Sequence, residues 1–356
     1  MHCGNGSDRT QHPAELFGEY WREMGSDYVE EQLQEPTNME HKLAIQREIA
    51  VEQNIAHMTA IESQFKFAAE RIAKADAIVI AAGAGIGVDS GLPDFRGNDG
   101  FWNAYPALAK AQINFTDIAN PRAFHQQPEL AWGFYGHRLD LYRKTVPHDG
   151  FGILKKWADA KKGSWVFTSN VDGQFQKAGF AKEQIHECHG SIHYLQCVDE
   201  CVAGVWSAAE FQPEVDKDQC KLLNPPPPCL CCGQIARPNV LMFGDWNWQH
   251  EREHEQRQLE AQWLEKVIHN LWNVVIVEMG AGTAIPSVRH FSEQTSKKFG
   301  ASIIRINPRE FDVPSQRDIG IPLGSLEALR GIDAALGTLP AEIDLDFTQN
   351  PQSEPL

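Results

Sequence analysis

Four short apolar runs, rich in valine, isoleucine and alanine, constrain the fold of this chain more than any other feature. They are residues 77–82, 164–168, 274–279 and 302–306. Glycine or small polar residues follow each run, and helical patterns separate the runs. Short apolar runs without alternation are typical of strands buried on both faces. The sequence therefore predicts an α/β fold, with a Rossmann-like parallel sheet covered by helices.

The remaining parts of the chain differ from this pattern. Residues 1–62 are acidic at first and then carry apolar residues at helical spacing, which predicts a mostly helical N-terminal extension, with one or two helices from residue 39 to 74. Cysteines and four consecutive prolines from about residue 188 to 240 indicate a small inserted module. The main domain is expected at residues 63–335, with a polar C-terminal tail at 336–356.

Composition argues against two kinds of partner. The net charge of -16 disfavours nucleic acid, which is bound by clustered lysine and arginine. No apolar run approaches the ~20 residues that span a membrane, and the first residues lack an apolar signal segment. We therefore expect no nucleic acid partner, no membrane association and a cytoplasmic location, with the nucleus left open.

Two close cysteine pairs lie within the inserted module. They are Cys197 with Cys201, and Cys229 with Cys232. Four thiolates in this arrangement suit tetrahedral zinc, and a site closed by four protein ligands is structural. Cys231 is an alternative ligand because it adjoins the second pair.

The first apolar run leads directly into a glycine-rich turn, which would let the backbone approach a pyrophosphate. The turn consists of Gly83, Ala84 and Gly85. A glycine turn without any ligand is the alternative. Gly91 and Pro93 predict that a loop, not a helix, continues from residue 88. This loop carries a carboxylate, an aromatic ring and a cation, in Asp94, Phe95 and Arg96.

Polar residues also follow the other runs, at strand ends where open α/β sheets bind ligands. After the second run come Ser169, Asn170, Val171 and Asp172. After the third and fourth runs come Gly282, Thr283, Ala284 and Asn307. The first group offers an amide and a carboxylate, and the second could border a ribose or adenine. Ordinary turns, such as an Asx turn closed by Gly173, are the alternative.

His189 is the candidate general base, because a neutral imidazole is suited to that role near pH 7. Gly190 beside it would permit close approach of a substrate. His186 and His193 are competitors that spacing alone does not separate from it.

In this order, the segments resemble the sirtuin family of NAD-dependent protein deacylases. The family's glycine turn, PDFRG loop, TQNID segment and HG pair correspond to residues 83–85, 93–97, 168–172 and 189–190. Its zinc cysteines, its R-P-x-V-x-x-F-G-E stretch and its GTS and IN segments also have counterparts, with Asp245 in place of the last Glu. The resemblance covers roughly residues 65 to 335. It departs from the family at Gly87, at Ser169 and at residues 146–150.

The resemblance implies an enzyme with NAD as co-substrate, structural zinc and an acyl-lysine protein as substrate. Nicotinamide and O-acyl-ADP-ribose would be released. His189, Asn170 and Asp172 would be catalytic, residues 83–85, 94–96, 169–172, 282–284 and 307 would bind NAD, and the peptide would meet Val240, Phe243 and Gly244. Ser169 in place of glutamine keeps NAD hydrolysis or ADP-ribosyl transfer open, and a non-enzymatic NAD-sensing module is a further alternative.

Tyr135 and Arg138 give an expectation about the acyl group. Three residues apart on a helix, they share a face, and a phenol with a guanidinium recognises a carboxylate. Sirtuins that remove succinyl groups carry such a Tyr-x-x-Arg pair. The alternative is a surface arginine beside a core tyrosine.

Overall fold

The computed structural model describes residues 39–93, 97–199 and 201–339. The chain divides into two compact units, Met1–Ala60 and Ile61–Leu356. The predicted loop residues Asp94, Phe95 and Arg96, and residues 340–356 of the predicted tail, lie outside the described residues. The predicted domain bounds stay a prediction.

The strands of the described residues are β1 Ala77–Ala82, β2 Gly163–Thr168, β3 Ile185–Glu187, β4 Gly190–Cys197, β5 Trp206–Ser207, β6 Val215–Asp216, β7 Lys221–Leu222, β8 Ala236–Val240, β9 Val274–Met279, β10 Ser302–Ile306 and β11 Ile319–Ile321. The α-helices are α1 Met39–Lys74, α2 Gly97–Ala104, α3 Pro106–Lys110, α4 Phe115–Ile118, α5 Pro121–Gln126, α6 Pro128–Lys144, α7 Asp149–Asp159, α8 Gln174–Lys177, α9 Glu251–His269, α10 Ser287–Phe299 and α11 Ser325–Gly337. Ala84–Ser90 and Lys182–Gln184 are 3-10 helices.

Six strands form one parallel sheet, in the order β11-β10-β9-β1-β2-β3. The four apolar runs are its central strands, so the predicted parallel α/β fold is confirmed. The strand order reverses between β1 and β9, which are neighbours in the sheet although about 200 residues separate them in the chain. Open α/β sheets bind ligands at such a reversal, beyond the carboxyl ends of the strands.

Alternate residues of each central strand pack into cores on opposite faces of the sheet. On β1, Ile78 and Ile80 join the core that includes α7 and α11, while Val79 joins the core that includes α10. Every residue of β1 and of β9 is buried. Burial on both faces explains why these strands show a continuous apolar run instead of an alternating pattern.

A smaller module packs around a separate core. Its antiparallel sheet has the order β5-β4-β8, and helices α2 to α6 supply aromatic side chains such as Phe101, Phe124 and Trp132. The indole nitrogen of Trp132 donates to the carbonyl of Ala236 in β8, at 2.9 Å. Two separate stretches of chain therefore build this zinc and helical module.

The predicted helical region from residue 39 to 74 is a single helix, α1. Its last four turns carry Ile61, Ala68, Ala69 and Ile72 into the interior of the second unit. Among the described residues, no helix is both long and apolar enough to cross a membrane.

Candidate active site

Two glycine-rich turns meet where the strand order reverses. The amide of Gly83 donates to the carbonyl of Met279 at 2.9 Å, and the amide of Gly85 donates to that of Gly280 at 3.1 Å. A Cβ atom on Gly83 would lie 2.7 Å from the Gly280 carbonyl oxygen, and one on Gly280 would lie 2.4 Å from the Ile86 nitrogen. Gly280 also has a positive φ of 59°. Only glycine permits this contact, because any side chain would separate the two turns.

The glycine turn continues as the 3-10 helix Ala84–Ser90, which Gly91 ends in the left-handed conformation. The prediction of a loop from residue 88 is therefore wrong for residues 88–90. Gly91 and Pro93 do not disrupt this short helix, because it ends before them. His148 fastens this helix to α7. Its Nε2 lies 3.0 Å from the Ile86 carbonyl oxygen, and its Nδ1 accepts from the Gly150 amide at 3.0 Å. His148 lies in the stretch 146–150 that departs from the sirtuin pattern.

A cleft of about 580 Å³ opens at this edge of the sheet. Its lining includes most of the predicted site residues, namely Gly83, Ala84, Gly85, Tyr135, Arg138, Ser169, Asn170, Val171, Asp172, His189, Val240, Phe243, Gly282, Thr283 and Ala284. Asn307 and Gly244 are absent from the lining. Asp94, Phe95 and Arg96 lie outside the described residues. Segments more than 200 residues apart in the chain thus meet around one space.

Asn170 and Asp172 lie at the end of β2 and are buried. Asn170 donates through Nδ2 to the Gly83 carbonyl at 3.1 Å, which ties the second strand end to the glycine turn. Oδ1 of Asp172 accepts from the Gln174 amide at 3.0 Å. Burial raises the pKa of Asp172 to about 6, partly offset by this hydrogen bond and by the Arg138 charge. The Asp172 carboxyl group is therefore mostly ionised near pH 7 and becomes protonated as the pH falls through about 6.

The structure separates the three histidines. His186 is buried between two carboxylates, 2.8 Å from Glu253 and 2.8 Å from Glu260. Nε2 of His193 lies 2.9 Å from the Asp172 carbonyl oxygen. His189 alone of the three lines the cleft. Its Nε2 lies 3.1 Å from Oγ of Ser287, a residue that sequence reasoning did not identify.

Burial lowers the pKa of His189, and a hydrogen bond with the backbone of Ser169 opposes this shift. Because the ring is mostly neutral near pH 7, it can accept a proton there. No other histidine of the described residues has this combination of a place in the cleft and a lowered pKa.

The far end of the cleft is formed by the turns after β9 and β10. Thr283 donates to the Glu310 carboxylate through its hydroxyl and, at 3.2 Å, through its amide. Asn307 is buried, donates to the Ala281 carbonyl at 3.0 Å and accepts from the Glu310 amide at 3.0 Å. Asn307 thus holds the two turns together, whereas Glu310 lines the cleft. No local pattern identified Glu310, because its partner Thr283 lies in a different segment of the chain.

The opposite end is aromatic and carries one buried cation. Arg138 on α6 is only 7% exposed, so the alternative of a surface arginine is wrong. Its guanidinium carbon lies 5.2, 5.5 and 5.3 Å from the ring centres of Phe134, Tyr135 and Tyr142. Its Nε donates to the Tyr142 hydroxyl at 3.0 Å. Tyr135 and Arg138 do share one face of the helix, and Tyr142, one turn further on, joins them.

Beyond Val240, the last residue of β8, the chain borders the same end of the cleft. Leu241 donates its amide to the His189 carbonyl at 3.0 Å, and Phe243 donates to that of Ala119 at 2.9 Å. Leu241 and Phe243 remain more than a third exposed. Gly244, the last residue of the predicted peptide-binding stretch, has a φ of 63° and turns the chain away.

The sulfur atoms of Cys197, Cys201, Cys229 and Cys232 all lie within 4.8 Å of one another. Four thiolates around tetrahedral zinc, each about 2.3 Å from the metal, would be roughly 3.8 Å apart. The Cys197–Cys232 and Cys201–Cys229 separations of 3.6 and 3.2 Å are close to this value. Cys231 is exposed and does not belong to the cluster. The residues present therefore fit zinc, and the cluster lies in the smaller module at the end of β4.

Comparison with known proteins agrees with this geometry. The sequence model of the Sir2 family matches residues 83–265. Another model, described as a protein of unknown function (DUF3079), matches residues 1–24, which lie outside the described residues. An NAD-dependent protein deacylase of Aquifex aeolicus (strain VF5) is 31% identical over 242 residues, covering 68% of this chain and 87% of the relative.

A probable bifunctional ADP-ribose hydrolase/ADP-ribosyltransferase of Fusarium oxysporum f. sp. cubense is 30% identical over 237 residues, covering 64% of this chain and 39% of the relative. The crystal structure of a Sir2 homolog–NAD complex is similar in fold, with a TM-score of 0.54 and 24% identity over 75% of this chain and 93% of the other. With a family model that matches more than half of its length, this chain belongs to the Sir2 family.

Proposed function

We propose that this protein removes acyl groups from lysine side chains of proteins, in a reaction that consumes NAD and releases nicotinamide and O-acyl-ADP-ribose. One observation carries the proposal. A single cleft joins a pair of glycine turns, the polar residues Asn170 and Asp172, the neutral His189 and an aromatic end with a buried cation. The Aquifex aeolicus relative, an NAD-dependent protein deacylase, supports the same activity.

NAD would span the cleft from the glycine turn to the end of β10. The glycine turn at residues 83–85 lines the cleft, and its small residues would let a pyrophosphate come close to the backbone at the start of the 3-10 helix. The turn 282–284 and the carboxylate of Glu310 would border the adenosine half, where a carboxylate can accept hydrogen bonds from ribose hydroxyls. Ser169, Val171 and, beyond the cleft lining, Asn307 would complete this binding site.

The reaction centre would lie between Asn170, Asp172 and His189. As nicotinamide leaves and the acyl oxygen joins the ribose, positive charge develops on the sugar. An ionised Asp172, itself buried, would stabilise such charge. His189 would accept a proton from a ribose hydroxyl at Nε2, so that the intermediate can proceed to O-acyl-ADP-ribose.

The acyl chain would extend toward Tyr135 and Arg138. A buried guanidinium facing a cavity among aromatic rings favours a ligand that carries a carboxylate. We therefore propose that succinyl-type groups are removed at least as well as acetyl groups.

The peptide itself would lie along residues Val240, Phe243 and Gly244, as an added strand beside the end of β8. Exposed apolar side chains at Leu241 and Phe243 support this surface. Zinc, held by Cys197, Cys201, Cys229 and Cys232, would stabilise the module that carries β8.

Mass-resolved assays of peptides with acetyl-, succinyl- or unmodified lysine, each with NAD, test the proposal. We expect nicotinamide and O-acyl-ADP-ribose in equal amounts, and only with acylated peptides. Nicotinamide formed at the same rate without peptide would instead show NAD hydrolysis.

ADP-ribosyl transfer is the second candidate. Ser169, which lines the cleft where sirtuins usually have glutamine, and the Fusarium relative described as a probable ADP-ribosyltransferase favour it. A mass gain of ADP-ribose on an unacylated protein, with no acyl loss from any peptide, would establish this candidate in place of deacylation.

A further inference from the structure

Ser287, the first residue of α10, contacts the ring nitrogen that a general base would use. Its Oγ lies 3.1 Å from Nε2 of His189, across 98 residues of sequence. We propose that Ser287 is a positioning residue, which holds neutral His189 with its Nε2 lone pair ready to accept a proton. This inference rests on the proposed role of His189 as the base.

The hydrogen bonds on the two sides of the ring determine its tautomer. The backbone hydrogen bond with Ser169 raises the pKa of His189, although burial lowers it more. A partner that favours the protonated ring is an acceptor, so it is the Ser169 carbonyl. Since Nε2 faces Ser287, the proton that donates to this carbonyl is on Nδ1. The lone pair of the neutral ring is then on Nε2, and the Ser287 hydroxyl donates to it.

Two further features keep His189 neutral. The ring is buried, which disfavours its charged form. It also touches the N-terminus of α10, a helix of 13 residues whose positive end disfavours an imidazolium. The hydroxyl of Ser287 is thus aimed at an acceptor and not at a cation.

The helix that carries Ser287 is fixed on both sides. Arg289, two residues further on, donates through Nε to the Ala281 carbonyl at 3.2 Å and also donates to the Glu310 carbonyl. Phe291 stacks on Phe167 of β2, with ring centres 3.9 Å apart. A hydroxyl on such an element has a defined position, which is what the orientation of a base requires.

The hydroxyl suits both charge states of the ring. When a ribose hydroxyl donates to Nε2, it replaces the Ser287 hydroxyl as the hydrogen-bond donor to the Nε2 lone pair. The ribose proton then transfers to Nε2 while the electron pair of the O–H bond stays on the ribose oxygen. The Nε2–H bond that results donates to Ser287 Oγ, which accepts after rotation of its hydroxyl.

Ser287→Ala tests the proposal, with Ser287→Thr as the variant that keeps the hydroxyl. We expect kcat for acyl removal to fall about tenfold in Ser287→Ala, the scale of one hydrogen bond, with KM for NAD unchanged. Ser287→Thr should restore most of kcat. Ser292→Ala on the same helix is the control, because Ser292 is buried and its Oγ has no hydrogen-bond partner among the described residues.

The ring nitrogens of His189 give a readout that does not depend on activity. In protein labelled with ¹⁵N-histidine, with the His189 signals assigned from a His189→Gln variant, we expect the Nδ1–H tautomer in the wild type. Ser287→Ala should show a mixture of tautomers, and Ser292→Ala should not. Unchanged tautomer and unchanged kcat in Ser287→Ala, or equal losses of kcat in Ser287→Ala and Ser292→Ala, would overturn the proposal.

Failure of this inference is distinct from failure of the proposed function. A wild type that removes acyl groups, together with a fully active Ser287→Ala, refutes only the role of Ser287. A wild type without NAD-dependent acyl removal refutes the function, whatever the tautomer.

Discussion

At the scale of single residues, burial and hydrogen bonding distinguish side chains of the same type. His186, His189 and His193 occupy one short stretch, yet two carboxylates bind the first and a backbone carbonyl engages the third. His189 is left facing the cleft. The environment of each ring, and not its place in a motif, therefore decides which one can act as a base.

His189→Ala should lower acyl removal about 100-fold or more, because it removes the proposed general base from the cleft. Turnover is measured with saturating NAD, and NAD binding and the melting temperature serve as controls for folding. His193→Ala is the matched variant, and it should retain more activity since its ring does not line the cleft. Near-normal turnover of folded His189→Ala would mean that another group acts as the base.

Arg138→Met should reduce kcat/KM for succinyl-lysine peptides about tenfold or more while acetyl-lysine peptides lose less. The physical reason would be the loss of the proposed charge-assisted hydrogen bond from Arg138 to the acyl carboxylate. Arg138 also lowers the pKa of Asp172, so a modest common loss on both substrates is expected. Equal losses on both acyl groups would contradict carboxylate recognition and leave Arg138 a role through Asp172 alone.

At the scale of elements, polar contacts attach secondary structures to the sheet. Helix α9 is held against β3 by the contacts of His186 with Glu253 and Glu260, and by the ion pair of Arg252 with Glu187. β3 leads directly to His189 and β4. The attachment of α9 therefore supports the segment that carries the proposed base.

This attachment should depend on pH. Burial alone would lower the pKa of His186, but Glu253 and Glu260 together raise it above the usual 6.5. The native state thus binds the proton more tightly than the unfolded state. The resulting stability is present below about pH 6.5 and is lost as the pH rises through the folded pKa.

His186→Gln should flatten the decline in melting temperature above pH 6.5, as measured from pH 6 to 9. His254→Gln, which changes an exposed histidine of α9, is the control and should keep the wild-type slope. An unchanged slope in His186→Gln would mean that other groups cause the pH dependence.

The four clustered cysteines concern the stability of the smaller module. The protein should contain about one equivalent of zinc, and Cys229→Ser should lose it and lower the melting temperature, because structural zinc contributes folding free energy directly. Cys231→Ser is the matched control, since Cys231 is exposed and outside the cluster. If Cys229→Ser retained zinc and Cys231→Ser lost it, Cys231 and not Cys229 would be the zinc ligand.

At the scale of the whole molecule, one buried ion pair connects the strands that form the second half of the large sheet. Arg305 of β10 lies beside Glu278 of β9 in register, with a contact of 2.6 Å. Glu293 of α10 joins them at 3.2 Å. Arg305 and Glu278 are buried, so loss of the Glu278 charge leaves the buried guanidinium with only the more distant and more exposed carboxylate of Glu293 as an ion-pair partner.

Glu278→Gln should therefore reduce the free energy of unfolding by about 3 kcal/mol, as measured by urea denaturation. The double variant Glu278→Leu/Arg305→Met should recover most of this loss, because apolar residues need no compensation. A double variant that is less stable than Glu278→Gln would mean that the pair itself is strongly stabilising.

The sequence by itself determined the local features of this protein. Apolar runs such as 274–279 predicted the central strands. A strand buried on both faces needs apolar residues at nearly every position, and this pattern is visible within six residues. The glycine turn at 83–85 and the four cysteines could be recognised for the same reason, since their chemistry lies in neighbouring residues. The edge strands β3 and β11 were missed because each has only three residues.

The tertiary structure alone decided which distant residues meet. Ser287, Glu310 and Tyr142 reach the cleft or its base only because the parallel sheet aligns the carboxyl ends of its strands with helices from other segments. Arg138 is buried because the smaller module packs around α6. Such contacts depend on topology and not on spacing, so no local pattern encodes them.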